Sequence, residues 1–237
     1  PGNFADTDEL IALVSAAAEY DGSYISHIRS EGSRLEEAVQ ELIKIASITR
    51  APAEIYHLKA SGRSNWHKLS NVFDLIESAR SAGLLITADM YTYTAASTGL
   101  SATMPLWVQD GGHAAWVERL QDPDIRERVA AEMKQPTTEW ENFFVDAGPE
   151  NILLIGFRNP DLRQLIGKTL QEVADERGTD PAMTAMDLVV EDDSRVDAVY
   201  FLMAEETVRR QVMMPWISFG SDAGAPSADG VFLESSR

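Results

Sequence analysis

Two imidazoles and a carboxylate stand at the ends of three short, strand-like apolar runs. His27 sits in Ser23-Tyr-Ile-Ser-His-Ile-Arg29, His57 in Glu54-Ile-Tyr-His-Leu-Lys59, and Asp222 in Trp216-Ile-Ser-Phe-Gly-Ser-Asp222. Neutral imidazole is a common zinc ligand, and a carboxylate beside such a metal can take the proton of an attacking water and return it to a leaving amine. A parallel α/β barrel delivers its chemistry from the carboxyl ends of successive strands, so ligands far apart in sequence can meet on one rim. The chain has only four histidines, and two fall in these contexts. The other two, His67 at a helix start and His113 in a long irregular stretch, read as structural or solvated.

The elements that must position these groups follow from hydrophobic period. Residues 7–21 predict a helix with Thr7 as N-cap, a face of Leu10, Leu13, Val14 and Ala17, and Gly22 as its stop. A strand follows at 23–28, then a helix over 33–49 with Leu35, Val39, Leu42, Ile43 and Ala46 on one face. Pro52 precedes a strand at 54–58, a third helix covers 67–82 (Leu69, Val72, Phe73, Ile76 and Ala79 inward, Gly83 the stop), and a strand runs over 84–91. Helix and strand alternating at a spacing of about 30 residues is a run of βα units. The fold class is therefore α/β, a parallel run of βα units of the barrel-forming kind, interrupted by an inserted subdomain. Residues 1–98 carry the barrel units, 99–213 the lid-like insert, and 214–237 the last strand and its loop. Inside the insert the pattern predicts helices at 123–134, 161–177 and 181–190 and a strand at 151–157.

The balance of charge, 38 acidic against 20 basic residues, argues against nucleic acid and anionic membrane surfaces as partners. No apolar run reaches about 18 residues, so no transmembrane helix is expected, and no signal peptide opens the chain. The absence of cysteine removes thiolate ligands and fits a reducing, cytoplasmic setting. The loop-like start at Pro1 and the loop-like stretch from Ala223 to Arg237 suggest a segment of a longer protein.

Four phrases, Tyr24-Ile-Ser-His-Ile-Arg-Ser-Glu-Gly32, Tyr56-His-Leu-Lys-Ala-Ser-Gly62, Ala88-Asp-Met-Tyr-Thr-Tyr-Thr-Ala-Ala-Ser-Thr98 and Phe219-Gly-Ser-Asp-Ala223, resemble the D-aminoacylase (N-acyl-D-amino-acid deacylase) branch of the amidohydrolase superfamily. The Gly167-Lys-Thr-Leu-Gln-Glu-Val-Ala-Asp-Glu-Arg-Gly178 run and the opening Pro1-Gly-Asn-Phe-Ala-Asp-Thr-Asp-Glu-Leu10 follow the same phrasing. The resemblance implies a (β/α)8 TIM-type barrel of the metal-dependent hydrolase kind, here a partial barrel with an inserted subdomain, in which His27 closes strand five and His57 strand six, both as ligands of zinc. It makes Asp222, at the end of strand eight, the general base and acid, and gives Lys59, Tyr91 and Ser97 to the substrate, particularly its carboxylate. The implied substrate is a small N-acyl-D-amino acid, and a homo-oligomer is an allowed assembly. The family's first-strand His-x-His and fourth-strand cysteine would lie upstream of Pro1, and the phrase that follows its strand-eight aspartate would lie beyond Arg237.

On the residues alone, other readings stand beside this one. A cyclic-amide hydrolase of the dihydroorotase or hydantoinase kind bridges two metals with a carboxylated lysine, and no lysine reads as standing in an apolar strand-end context suited to that. A catalytically inert barrel segment serving as a binding module is the other. Arg29 reads as a salt-bridge partner of Glu31 or of a neighbouring strand. In the insert, Trp140, Phe143, Phe144 and the methionines read as core that could also shape an acyl pocket.

Overall fold

The computed structural model describes residues 5–223, in two compact units. The chain opens with α1 (Thr7–Ala18), β1 (Tyr24–Ser26), α2 (Leu35–Thr49), β2 (Ala53–Ile55), a 3-10 turn at Arg63–Lys68, α3 (Leu69–Ser81) and β3 (Ile86–Met90). It continues through β4 (Ala96–Gly99), α4 (His113–Arg119), α5 (Pro123–Met133), α6 (Phe143–Ala147), β5 (Ile152–Gly156), α7 (Leu170–Arg177), α8 (Pro181–Asp192) and β6 (Asp197–Tyr200). It ends with α9 (Glu205–Val212) and β7 (Ile217–Phe219). One unit runs to Tyr93 and resumes over Met203–Asp222; the other spans Thr94–Leu202 and takes in Ala223. The expected insert ran over 99–213, whereas α9 lies with the first unit, as the helix that leads the chain into β7. Residues 1–4 and 224–237, which hold the start of the opening phrase and most of the final loop, lie outside the described residues.

In the first unit β1, β2, β3 and β7 form one parallel sheet in that order. Register carries a single row across it, from Ser26 to Ile55 to Ala88 to Ile217. The described strands make an open sheet, and β1 and β7 are its edges. Helices cover it as their apolar stripes require: Leu35, Val39, Leu42, Ile45 and Ala46 of α2 are buried, as are Leu69, Val72, Phe73, Ile76 and Ala79 of α3. Ile45, rather than the expected Ile43, completes the α2 face. On α1 the prediction erred. Val14 is buried and Leu10, Ile11 and Ala18 pack beside it on Ile45 and Ala51, while Leu13 is 61% exposed and Ala17 faces solvent. The cap is Asp6, whose carboxylate accepts the Glu9 amide; Thr7 is the first helical residue and its hydroxyl donates to Glu41. Gly22 is required where the chain folds back on the helix end, since a Cβ there would meet the Ala17 carbonyl oxygen at 2.7 Å.

The second unit is built on an antiparallel sheet, β4-β6-β5. Tyr200 on the central strand is fully buried, donates its hydroxyl to the Gly99 carbonyl at 2.8 Å, and meets Phe143 edge-on at 5.1 Å. Phe143, Phe144, Met104, Met133 and Met186 are buried and Trp140 half-buried, so these side chains pack the unit's own core. The helix expected over 161–177 is two pieces, a 3-10 turn at Pro160–Leu165 and α7. Gly167, at φ 87°, breaks the run, and Thr169 and Glu172 start α7 with a reciprocal capping box. Thr169→Ala is expected to cost about 1 kcal/mol, the usual loss for an N-cap hydroxyl, read as a lowered urea midpoint at unchanged slope. Among the described residues, no helix is long and apolar enough to cross a membrane.

Candidate metal centre

The carboxyl ends of the parallel strands converge on one rim, where such sheets place their ligands. His27 follows β1 directly, His57 stands just past β2, Asp89 lies within β3, and Asp222 follows β7. His27 Nδ1 lies 3.0 Å from His57 Nε2. Two nitrogens bound to one tetrahedral zinc at about 2.0–2.1 Å stand about 3.3–3.4 Å apart, so the pair needs only a few tenths of an ångström to hold the ion. His57 adopts a left-handed backbone, φ 37°, unusual for a non-glycine residue, and its amide donates to Asp89 Oδ1 at 2.7 Å. The carbonyl of the next residue, Leu58, accepts from the buried Gln211 amide at 2.6 Å, so α9 braces this turn. Asp222 has φ 50° and is exposed. Strain of this kind is held where the surroundings dictate a side-chain direction.

Behind the histidines lies a buried ion pair. Lys59 Nζ donates to Glu31 Oε1 at 2.6 Å, and both side chains are nearly inaccessible. The same oxygen lies 2.8 Å from His57 Nδ1 and 3.7 Å from His27 Nδ1. His27, Glu31 and His57 thus offer three potential ligand atoms within 4.8 Å of one another. Burial pushes the Glu31 carboxyl up, but the Lys59 charge and the hydrogen bond with His57 outweigh it and hold the group down at about 2, a permanent carboxylate. Partial desolvation by the surrounding chain lowers His27 from the ordinary imidazole range although its side chain stays largely accessible; Glu31 and Asp222 oppose the shift while His57 and Lys59 add to it. The neutral imidazole that results keeps a lone pair for a metal. Burial, with the charges of Glu31 and Asp222, pushes Tyr91 well above the usual phenol value, so it stays a neutral hydroxyl. Its ring lies 5.2 Å from Lys59 Nζ and stacks on Tyr93.

Of the residues singled out from sequence, His27, His57, Lys59 and Tyr91 therefore meet, and the charge of Asp222 is felt at both His27 and Tyr91. Ser97 lies on β4 in the other unit, with its hydroxyl 3.2 Å from the Ala198 carbonyl. Lys59 is buried beside the histidines, and its ammonium is engaged by Glu31. Arg29 pairs with Glu41 of α2 at 2.6 Å, and Glu31 turns inward. Sequence reasoning missed Glu31, Asp89 and Gln211 as parts of the site; Glu31 stands four residues after His27, in an irregular stretch whose burial no sequence pattern shows. His113 begins α4 and meets Asp193 at 2.9 Å, a surface contact.

The fold and rim define a mixed α/β unit in which His27, Glu31 and His57 are grouped so that they could hold a metal ion, and comparison with known proteins gives this a family setting. No family model matches the chain. Over 98 residues it is 35% identical to the N-acyl-D-glutamate deacylase of Alcaligenes xylosoxydans xylosoxydans, a match over 41% of this chain and 20% of that enzyme. It is 32% identical over 100 residues to the D-aminoacylase of the same organism, 42% of this chain and 20% of the relative. In structure it matches the N-acyl-D-glutamate deacylase of Bordetella bronchiseptica, solved with zinc and a phosphonate mimic of the tetrahedral intermediate, with a TM-score of 0.68 at 25% identity. That match covers 94% of this chain and 37% of the solved one. The chain thus matches the D-aminoacylase branch of the amidohydrolases over part of the relatives' length, as a fragment of that branch would.

Proposed function

We propose that this chain forms the carboxyl-terminal part of a (β/α)8 amidohydrolase barrel that hydrolyses the amide bond of N-acyl-D-amino acids with zinc. The observation that carries the reading is the His27–His57 pair, nitrogens 3.0 Å apart at the carboxyl ends of adjacent parallel strands, in a chain whose relatives are deacylases of this kind. The open sheet supports the barrel: edge strands β1 and β7 carry exposed Ile25 and Phe219, an arrangement that further strands would cover. His27 and His57 would hold the metal, with further donors from outside the described residues. When bound, zinc supplies a Lewis acid for the amide carbonyl and an easier deprotonation of water.

The chain's own residues do the rest. Asp222 takes a proton from the attacking water and returns it to the amine nitrogen as the C–N bond breaks, leaving a carboxylate and a free D-amino acid. Lys59 and Tyr91 hold the substrate carboxylate: Lys59 as a point cation, the Tyr91 hydroxyl as a neutral donor. The neutral Tyr91 phenol suits that role.

Asp222→Asn tests the assignment. It is expected to lower kcat on an N-acyl-D-amino acid by about 100- to 10,000-fold, the usual worth of a general acid–base group, with zinc content unchanged. Full activity in this variant would remove Asp222 from the mechanism.

A further inference from the structure

His57 has two ring nitrogens, and the structure gives one of them two partners of opposite kind. Nε2 faces His27 Nδ1 at 3.0 Å. Nδ1 lies 2.8 Å from Lys59 Nζ and 2.8 Å from Glu31 Oε1. An ammonium can only donate, and an ionised carboxylate can only accept. A neutral imidazole therefore has two arrangements here. With the proton on Nδ1, the ring donates to Glu31, the Lys59 ammonium must turn its N–H groups elsewhere, and Nε2 keeps its lone pair. With the proton on Nε2, the ring donates to His27, Nδ1 accepts from Lys59, and Nε2 has no lone pair to offer. The tautomer of a histidine is fixed by such partners.

We propose that Glu31 is a positioning residue that holds His57 in the Nδ1–H tautomer, the form able to ligate through Nε2, and that Lys59 stabilises the competing form. This rests on the reading of His57 as a metal ligand. It adds a coupling between two parts of that site: a ligated His57 can no longer accept from Lys59, so one ammonium N–H becomes available to a substrate carboxylate. Glu31 serves both ends, since the oxygen that accepts the Nδ1–H hydrogen bond also pairs with the buried Lys59. Metal-bound histidines commonly donate their second N–H to a carboxylate, and loss of such a partner weakens metal binding by about 10- to 100-fold.

The test uses protein labelled with ¹⁵N-histidine. Two-bond ¹⁵N–¹H correlations, assigned with His57→Ala, distinguish the tautomers directly, and zinc affinity is read by competition with a chromophoric chelator. In metal-free wild type His57 is expected to populate Nδ1–H, and zinc is expected to make it the sole form. Glu31→Gln is expected to shift the metal-free ring towards Nε2–H and to weaken zinc about 10- to 100-fold, with Glu31→Asp recovering most of the loss. An Nε2–H ring in wild type with and without zinc would overturn the proposal. So would a Glu31→Gln protein, folded by circular dichroism, with an unchanged tautomer and zinc affinity within about twofold. If Glu31→Gln does not fold, the wild-type and Glu31→Asp spectra decide. Wild type that takes up no zinc would refute the metal reading alone, because the tautomer shift in metal-free protein still tests Glu31.

Discussion

Protein carrying both His27→Ala and His57→Ala is expected to bind zinc at least about 100-fold more weakly than the unaltered protein, the upper end of what loss of a mere outer partner causes. The two nitrogens stand 3.0 Å apart at the ends of adjacent strands, so the substitutions remove a pair of imidazoles that the sheet register has already brought together. The fold should survive. His27 is exposed, and the bond that fixes the His57 backbone runs from its amide to Asp89, which alanine keeps. Each single variant is expected to lose most of the affinity, since one imidazole without its neighbour is an ordinary surface ligand. His113→Ala is the control: its ring meets Asp193 in the other unit, and its zinc affinity should match wild type. Elemental analysis after dialysis reads all of these. Equal, negligible zinc in wild type and double variant would sink the ligand assignment and leave an α/β segment with some other purpose.

How much of this was legible in the sequence depends on how local the cause is. The α3 stripe was read correctly because five apolar residues at helical spacing have one way to be buried. The α1 stripe was read too broadly, because that helix covers only the Ile45–Ala51 corner of α2 and the neighbouring chain, and so buries a narrower face than its apolar content allows. β4 and β6 went unseen. Ala96-Ser-Thr-Gly99 is small and polar, and the pairing of these strands joins positions about a hundred residues apart. The histidines were legible because strand ends carry a local signature and imidazole is rare in this chain. Glu31 was not, since nothing near it announces burial; its partner Lys59 lies 28 residues on and meets it only through the β1–β2 register.

Lys59→Met is expected to destabilise the fold by about 3–5 kcal/mol, the range for removing one partner of a buried ion pair. Lys59 and Glu31 are 5% and 4% exposed and 2.6 Å apart, so solvent screens the pair little. Methionine fills nearly the same space, which makes the loss electrostatic rather than a cavity effect. Glu31 is left with burial driving its proton affinity up and only the histidines opposing it, so it must take a proton or let water in. The double variant Glu31→Leu, Lys59→Met should recover most of the loss, because well-packed apolar replacements of buried pairs are often neutral or stabilising. Urea denaturation of the two singles and the double gives the coupling directly. A Lys59→Met protein within about 0.5 kcal/mol of wild type would show that the pair is not a buried ion pair in solution. The double variant also separates two properties. Its stability should return while its zinc affinity does not, because leucine offers no acceptor to the His57 Nδ1–H. A fold that would be as stable with two hydrophobes keeps Glu31 and Lys59 for what they do to His57 and for the cation they place on the rim, and the double variant measures that difference.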